Sequence, residues 1–174
     1  QNIHLFLNHD WGKSDFSFEM AYERAVLFFK FADPEIKELD HQALSKDYLS
    51  VILRGILKVD SIQRGSISCS FKVMPSIVNV YEGMHGGAVA SIAERVCLAC
   101  ARTVVSEDRP IFLGELAVSF LSSATKLEDV EVEGSVLRSG RNLTVVNCDF
   151  RVKDTRKLVY SARATLYHTY PSKL

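Results

Sequence analysis

The feature that most constrains this fold is a run of small and apolar residues, interrupted only by Glu94 and Arg95 and opened by a pair of glycines. After Gly83-Met84-His85-Gly86-Gly87 come Ala88 to Ala93 and, past Glu94 and Arg95, Val96 to Ala101. A helix that is small or apolar on every side predicts burial all round, with the rest of the chain arranged about it. Glu94 is then expected inside a core. An ionised carboxylate is costly in apolar surroundings unless a partner offsets the desolvation, which makes such an acid a candidate general base or nucleophile. At the helix start, the missing side chains of Gly86 and Gly87 let a substrate oxygen approach their backbone N–H groups. An oxyanion donor and an acid on one helix point to acyl transfer. Gly86 and Glu94 stand eight residues apart, about 12 Å at 1.5 Å per residue, too far for one carbonyl to bridge. The acid serving a given Gly86 is therefore expected from a second, antiparallel subunit. The competing reading makes Glu94 a structural acid paired with an arginine such as Arg102.

Around this helix the periodicity changes from 3.6 to 2. Ile67, Cys69, Phe71 and Val73 alternate with Ser66, Ser68, Ser70 and Lys72, the pattern of a half-buried strand. Gly55 to Ile62 reads as its hairpin partner across Gln63-Arg64-Gly65. Beyond Pro110 four runs follow, Phe112 to Leu121, Val130 to Leu137, Leu143 to Val152 and Leu158 to His168. Ser139-Gly140-Arg141-Asn142 and Asp154-Thr155-Arg156-Lys157 suit short turns, so neighbouring strands should be antiparallel. The expected fold is α+β, an antiparallel sheet wrapped around one long central helix, over residues 48–174. Residues 1–47 are expected to form an N-terminal helical extension, with Asp15 capping a helix through Phe31 that ends before Asp33-Pro34.

Lys plus Arg (21) balance Asp plus Glu (21), and no basic stripe or aromatic platform argues for nucleic acid. No apolar run reaches the roughly 18 residues of a membrane span. Cys69, Cys97, Cys100 and Cys148 read as core thiols, because the Cys97-Leu98-Ala99-Cys100 spacing lies mid-helix and the other two stand singly on distant strands. His4, His9, His41 and His168 form no spaced ligand cluster, so no metal is expected. Asn142-Leu143-Thr144 matches a glycosylation acceptor at the start of a strand and is expected to stay unused. A start at Gln1 suggests that the natural N-terminus lies upstream. The terminal Ser172-Lys173-Leu174 matches a peroxisomal address, with an import receptor as partner; if the tripeptide is accidental, the expected location is the cytoplasm.

Asn79, the G-x-H-G-G run from Gly83 to Gly87 and an acid nine residues past His85 resemble the hotdog-fold acyl-CoA thioesterases of the PaaI and 4-hydroxybenzoyl-CoA thioesterase type. The likeness runs from about Leu49 to Tyr170. It implies hydrolysis of an acyl-CoA to free acid and CoA, with Glu94 as general base or nucleophile, the Gly86 N–H polarising the thioester carbonyl, and Asn79 and His85 lining the same pocket. Where some members carry a hydroxyl after the acid or at the start of the next strand, this chain has Leu98 and Leu113. CoA phosphates call for cationic and hydroxyl donors, and Gly87, Ser122, Ser123, Arg138, Ser139, Gly140 and Arg141 are the candidates. CoA belongs to the substrate and no separate cofactor is expected. A homodimer, extending to a homotetramer, is implied. Two alternatives stay open: a hotdog enoyl-CoA hydratase or dehydratase using His85, and a non-catalytic acyl-CoA-binding protein.

Overall fold

The computed structural model describes residues 48–168. The expectations for residues 1–47 and for Ser172-Lys173-Leu174 lie outside them. In chain order the elements are helix α1 (Tyr48–Ile56), strands β1 (Lys58–Gln63) and β2 (Ser66–Lys72), a 3-10 turn (Pro75–Ile77), helix α2 (Gly86–Arg102), and strands β3 (Ile111–Phe120), β4 (Asp129–Ser139), β5 (Leu143–Val152) and β6 (Leu158–His168). The strands form one sheet in the order β1-β2-β4-β5-β6-β3, every neighbouring pair antiparallel. After α2 the chain crosses to the far edge, where β3 pairs with β6. This leaves β3 with one side unpaired by the described strands.

The hairpin expected from Gly55 is corrected by a helix. Gly55 and Ile56 close α1, Leu57 N–H continues it to Leu53 O at 3.1 Å, and the strand starts only at Lys58. Ile52, Leu53, Ile56 and Leu57 recur at helical spacing and all meet the core, whereas Val59 and Ile62 on β1 are exposed. Burial of one helical stripe outweighed the weak local alternation. The turn itself is as expected: Gly65 sits at φ +82 between the paired Gln63 and Ser66, where a side chain would be strained.

The α2 helix lies across the inner face of the sheet and buries one stripe: Val89, Ile92, Ala93, Val96, Cys97, Cys100 and Ala101. Opposite it, β5 turns Thr144, Val146, Cys148, Phe150 and Val152 inward with strict alternation. Each large side chain removed from water contributes about 1.5–3 kcal/mol. The helix comes close to the sheet at Gly134 on β4, where a Cβ would stand 3.0 Å from Val96 Cγ1 and 3.4 Å from Cys100 Cβ. All four cysteines are buried and free. They are less scattered than expected, since the topology places β5 under α2 and hydrogen-bonds Cys148 to Cys97. That bond and burial push the Cys148 thiol well above the ordinary range, and burial pushes Cys100 up to about 11. The thiols thus pack as small apolar groups.

The expectation of a helix buried all round does not hold. Sheet covers α2 from one side only, so Ser91, Glu94 and Leu98, at helical spacing on another face, are half-buried and Gly87 is exposed. Glu94 stands on the flank of the core, within reach of water.

Candidate active site

The start of α2 is fixed by what precedes it. Asn79 Oδ1 accepts from Tyr81 N–H (2.9 Å) and Gly83 N–H (3.2 Å), and Asn79 N–H donates to Gly83 O at 2.8 Å. The carboxamide thus closes a tight loop in which Glu82 takes a left-handed φ of 60. Met84 N–H then bonds Ala124 O and His85 N–H bonds Ile77 O, each at 2.8 Å, tying the loop to the segment after β3 and to the 3-10 turn. Asn79 is half-buried and its oxygen is spent on the loop, which makes it the builder of the helix entrance.

His85 is the N-cap. Its Nδ1 accepts from Gly87 N–H at 3.0 Å, so the neutral ring carries its proton on Nε2. The Gly87 N–H, expected to be open, is therefore occupied. The N–H groups of Gly86 and Ala88 meet no acceptor among the described residues. Unused donors in a first helical turn carry the positive end of the helix dipole. Beside them lies Phe120, whose ring stands 3.5 Å from where a Gly86 Cβ would be. Tyr160 supports that ring edge-on, with centroids 5.8 Å apart, and its hydroxyl accepts from Ala124 N–H at 2.9 Å. Val80, Tyr81, Phe120 and Leu121 are exposed, giving the donors an apolar rim.

Among the described residues no hydrogen bond or ion pair engages the Glu94 carboxylate. Arg102, the proposed structural partner, instead donates to Ser106 O (3.0 Å) and Arg109 O (2.8 Å). Leu98 and Leu113 pack against the core. Ser91, one helical turn before Glu94, carries a hydroxyl that donates to Gly87 O at 2.8 Å.

The remaining candidates divide between two ends of the sheet. Ser122 and Ser123 follow β3 at the Gly86 end; Ser122 Oγ accepts from Lys157 Nζ at 2.6 Å and Ser123 Oγ donates to Ala124 O at 3.4 Å. Arg138 and Ser139 end β4 and Gly140 and Arg141 begin the turn to β5 at the other end, with Ser139 and Gly140 beside Val104 and Val105 after α2. A helix of 17 residues separates the two groups by about 25 Å, so one chain does not bring them together. The structure also brings Lys157 and Tyr160 to the Gly86 end and Arg109, Thr144 and His168 to the other, none of them among the sequence candidates. Strand parity carried a signal for two of them, since Tyr160 and His168 fall in step with the inward Ala162, Ala164 and Leu166.

Residues 81–159 match the Thioesterase superfamily. Over 111 residues the chain is 25% identical to human acyl-coenzyme A thioesterase 13, covering 64% of this chain and 79% of that protein. It is 29% identical over 105 residues to the Caenorhabditis elegans protein F42H10.6, named as an esterase, covering 60% of this chain and spanning 62% of the nematode protein's length. Similar solved structures include zebrafish thioesterase superfamily member 2, with a TM-score of 0.63 at 22% identity over 67% of this chain and 83% of that one. A Streptococcus mutans protein solved bound to acetyl CoA has a TM-score of 0.58 at 17% identity, over 67% of this chain and 91% of that one. At these identities the structural likeness establishes the fold, a six-stranded antiparallel sheet around one main helix.

Proposed function

We propose that this chain, whose residues 81–159 match the Thioesterase superfamily, is a hotdog-fold thioesterase that hydrolyses an acyl-CoA thioester to a free acid and CoA. The observation that carries the reading is the start of α2: an unpartnered Gly86 N–H under an apolar ring, on the same helix as an unpaired, half-buried Glu94. In the proposed reaction Glu94 removes a proton from water as that water attacks the carbonyl carbon. The carbonyl oxygen takes up negative charge against the Gly86 N–H, the C–S bond breaks, and the CoA sulfur leaves with the proton. Ser91, one turn before Glu94, is the hydroxyl available to orient the water where Leu98 and Leu113 offer none.

Gly86 and Glu94 keep their separation of about 12 Å along one rigid helix, so the donor and the base of each site come from different chains. A two-fold dimer then holds two sites. Its interface is β3, an edge strand whose inner Leu116 and Val118 are only half-buried, the kind of edge that natural proteins cover. The positions of Leu98 and Leu113 favour one second reading, an acyl-CoA-binding protein without turnover.

A thiol-release assay over aliphatic and aroyl-CoA esters decides between them. Glu94→Gln is expected to stay folded and bind CoA esters while kcat falls at least about a hundredfold. Near-normal turnover by the folded variant contradicts the role of Glu94. Binding by the wild-type chain with no thiol release establishes the second reading. The Ser172-Lys173-Leu174 address is proposed separately and is tested by whether a reporter ending in it enters peroxisomes.

A further inference from the structure

Three aromatic rings step across the sheet to the start of α2. Phe150 on β5 pairs with Tyr160 on β6, and Tyr160 pairs with Phe120 on β3, so the register puts all three side chains on the inner face. Each neighbouring pair meets edge to face, with centroids 5.8 Å apart and planes at 78° and 71°. Phe150 is fully buried and Tyr160 is 2% exposed, whereas Phe120 is 58% exposed. A ring so open to water takes its place from the few groups that it touches. On its far side, Cε1 and Cζ of Phe120 stand 3.5 Å from where a Gly86 Cβ would be, and no other atom of the ring comes within 4 Å. The ring therefore presents its edge to the helix start, and the edge is the positive part of an aromatic quadrupole.

Tyr160 is tied to both sides of that contact. Its hydroxyl accepts from Ala124 N–H at 2.9 Å, and Ala124 O accepts from Met84 N–H at 2.8 Å, two residues before Gly86. Leu121 N–H and Ser122 N–H both donate to Val159 O at 3.0 Å, which turns the chain after Phe120 back across the start of β6. One side chain thus holds the Phe120 ring directly and, through Ala124, the segment that leads into α2.

A hydrogen bond to developing charge is worth more where water is excluded. Gly86 is only half-buried and Gly87 is exposed, so the helix start does not shield its own donor. We infer that Phe120 is a further part of the acyl site, its ring edge shielding from water the carbonyl oxygen held at the Gly86 N–H, and that Tyr160 is the positioning residue that keeps the ring there. The inference rests on the thioesterase reading above. Phe120 acts as charge grows on the oxygen, so its loss belongs in kcat. Tyr160 acts through Phe120, so its loss is felt only while the Phe120 ring is present.

The test combines amide NMR of the intact chain with steady-state kinetics on acyl-CoA esters. Loss of the ring current in Phe120→Ala is expected to shift the Gly86 amide, and Tyr160→Leu to shift it in the same direction, with Tyr160→Phe staying close to wild type. Phe120→Ala is expected to lower kcat about tenfold and Phe120→Leu less, with KM moving less than about twofold. Tyr160→Leu is expected to lower kcat about fivefold in the wild-type background and to add nothing in Phe120→Ala, the non-additivity of two groups that act as one. A merely structural loss would multiply instead, and Tyr160→Phe, which keeps the ring, is expected to recover most of the rate. Should Tyr160→Leu fail to fold, Tyr160→Met carries the same comparison. An unchanged kcat in folded Phe120→Ala overturns the shield. A Gly86 amide that Tyr160→Leu leaves at its wild-type shift, or a multiplied loss in the double variant, overturns the positioning role. If the wild-type chain releases no thiol from any ester, hydrolysis is contradicted and a CoA ketone, with a methylene in place of the thioester sulfur, decides the inference. The Gly86 amide is then expected to move downfield as the ketone binds, and to move less in Phe120→Ala; equal movement in the two proteins, or none, overturns the shield.

Discussion

The two ends of α2 meet their surroundings by opposite means. At the N-terminal end the donors are backbone N–H groups in a first turn, lodged among Val80, Tyr81, Phe120 and Leu121. At the C-terminal end they are side chains, Arg109 and a relay of His168, Thr144 and Ser139, with Arg102 bonding the carbonyls of the loop that follows. The helix dipole accounts for part of the contrast, since a helix start stabilises developing negative charge unaided and a helix end needs cations to do so. A backbone donor is fixed by the helix itself and costs no reorganisation when charge appears, which suits a transition state. A side-chain network bonds within itself, as His168 does between Arg109 and Thr144.

Substitutions that touch one end alone separate these roles. The largest effect is expected from Gly86→Pro. Proline is well tolerated at the first helical position, and His85 at ψ 131 already has the backbone required before it. The change deletes one N–H and leaves the helix standing, so kcat should fall about 10²- to 10³-fold with little change in thermal unfolding; an unimpaired kcat would remove Gly86 from the chemistry. At the other end, Thr144→Val strips a fully buried hydroxyl from between His168 and Ser139 and should cost about 1–3 kcal/mol in denaturant unfolding. His85→Ala, which loses the cap on Gly87 N–H, should cost about 1 kcal/mol by the same measurement.

The smallest expected effect is a pH dependence confined to the C-terminal end. Unfolded, His168 binds a proton near its ordinary value of 6.5, while the folded chain, in which burial and Arg109 oppose the charge, binds it only at lower pH. Its contribution to stability is therefore whole above about pH 6.5 and declines as pH falls below that. Thermal unfolding followed from pH 7.5 to 5.5 should show a shallower decline in His168→Gln than in the wild-type chain. Parallel declines would mean that His168 keeps its proton affinity on folding.

Much of this architecture was legible where one physical signal acted alone. Leu143 to Val152 and Leu158 to His168 matched β5 and β6 to the residue, because strict alternation and polar turns leave a two-sided strand little freedom of register. The helix at Gly86 was marked by its glycines and its apolar run. Residues 55–57 were misread because a short apolar stretch satisfies both periods, and contact with the core decided between them. The proposed site rests on candidates that the sequence marked and surroundings that it did not. Sequence marked Gly86, His85 and Glu94 as candidates, but not that His85 would consume the Gly87 N–H, nor that the sheet would cover α2 from one side and leave Glu94 near water. The Arg109 relay joins residues 59 and 24 positions apart in sequence to His168, and only the pairing of β6 with β3 and β5 makes them neighbours.

The central claim is that the Gly86 donor and the Glu94 base of each site belong to different chains. Two differently tagged variants, Glu94→Gln and Gly86→Pro, each inactive alone, can be co-refolded and the mixed dimer purified by both tags. One of its two sites then joins an intact Gly86 from the first chain to an intact Glu94 from the second. About half the wild-type thiol release per dimer is expected. A verified mixed dimer no more active than either parent, or a stable wild-type monomer with full activity, would contradict the shared site.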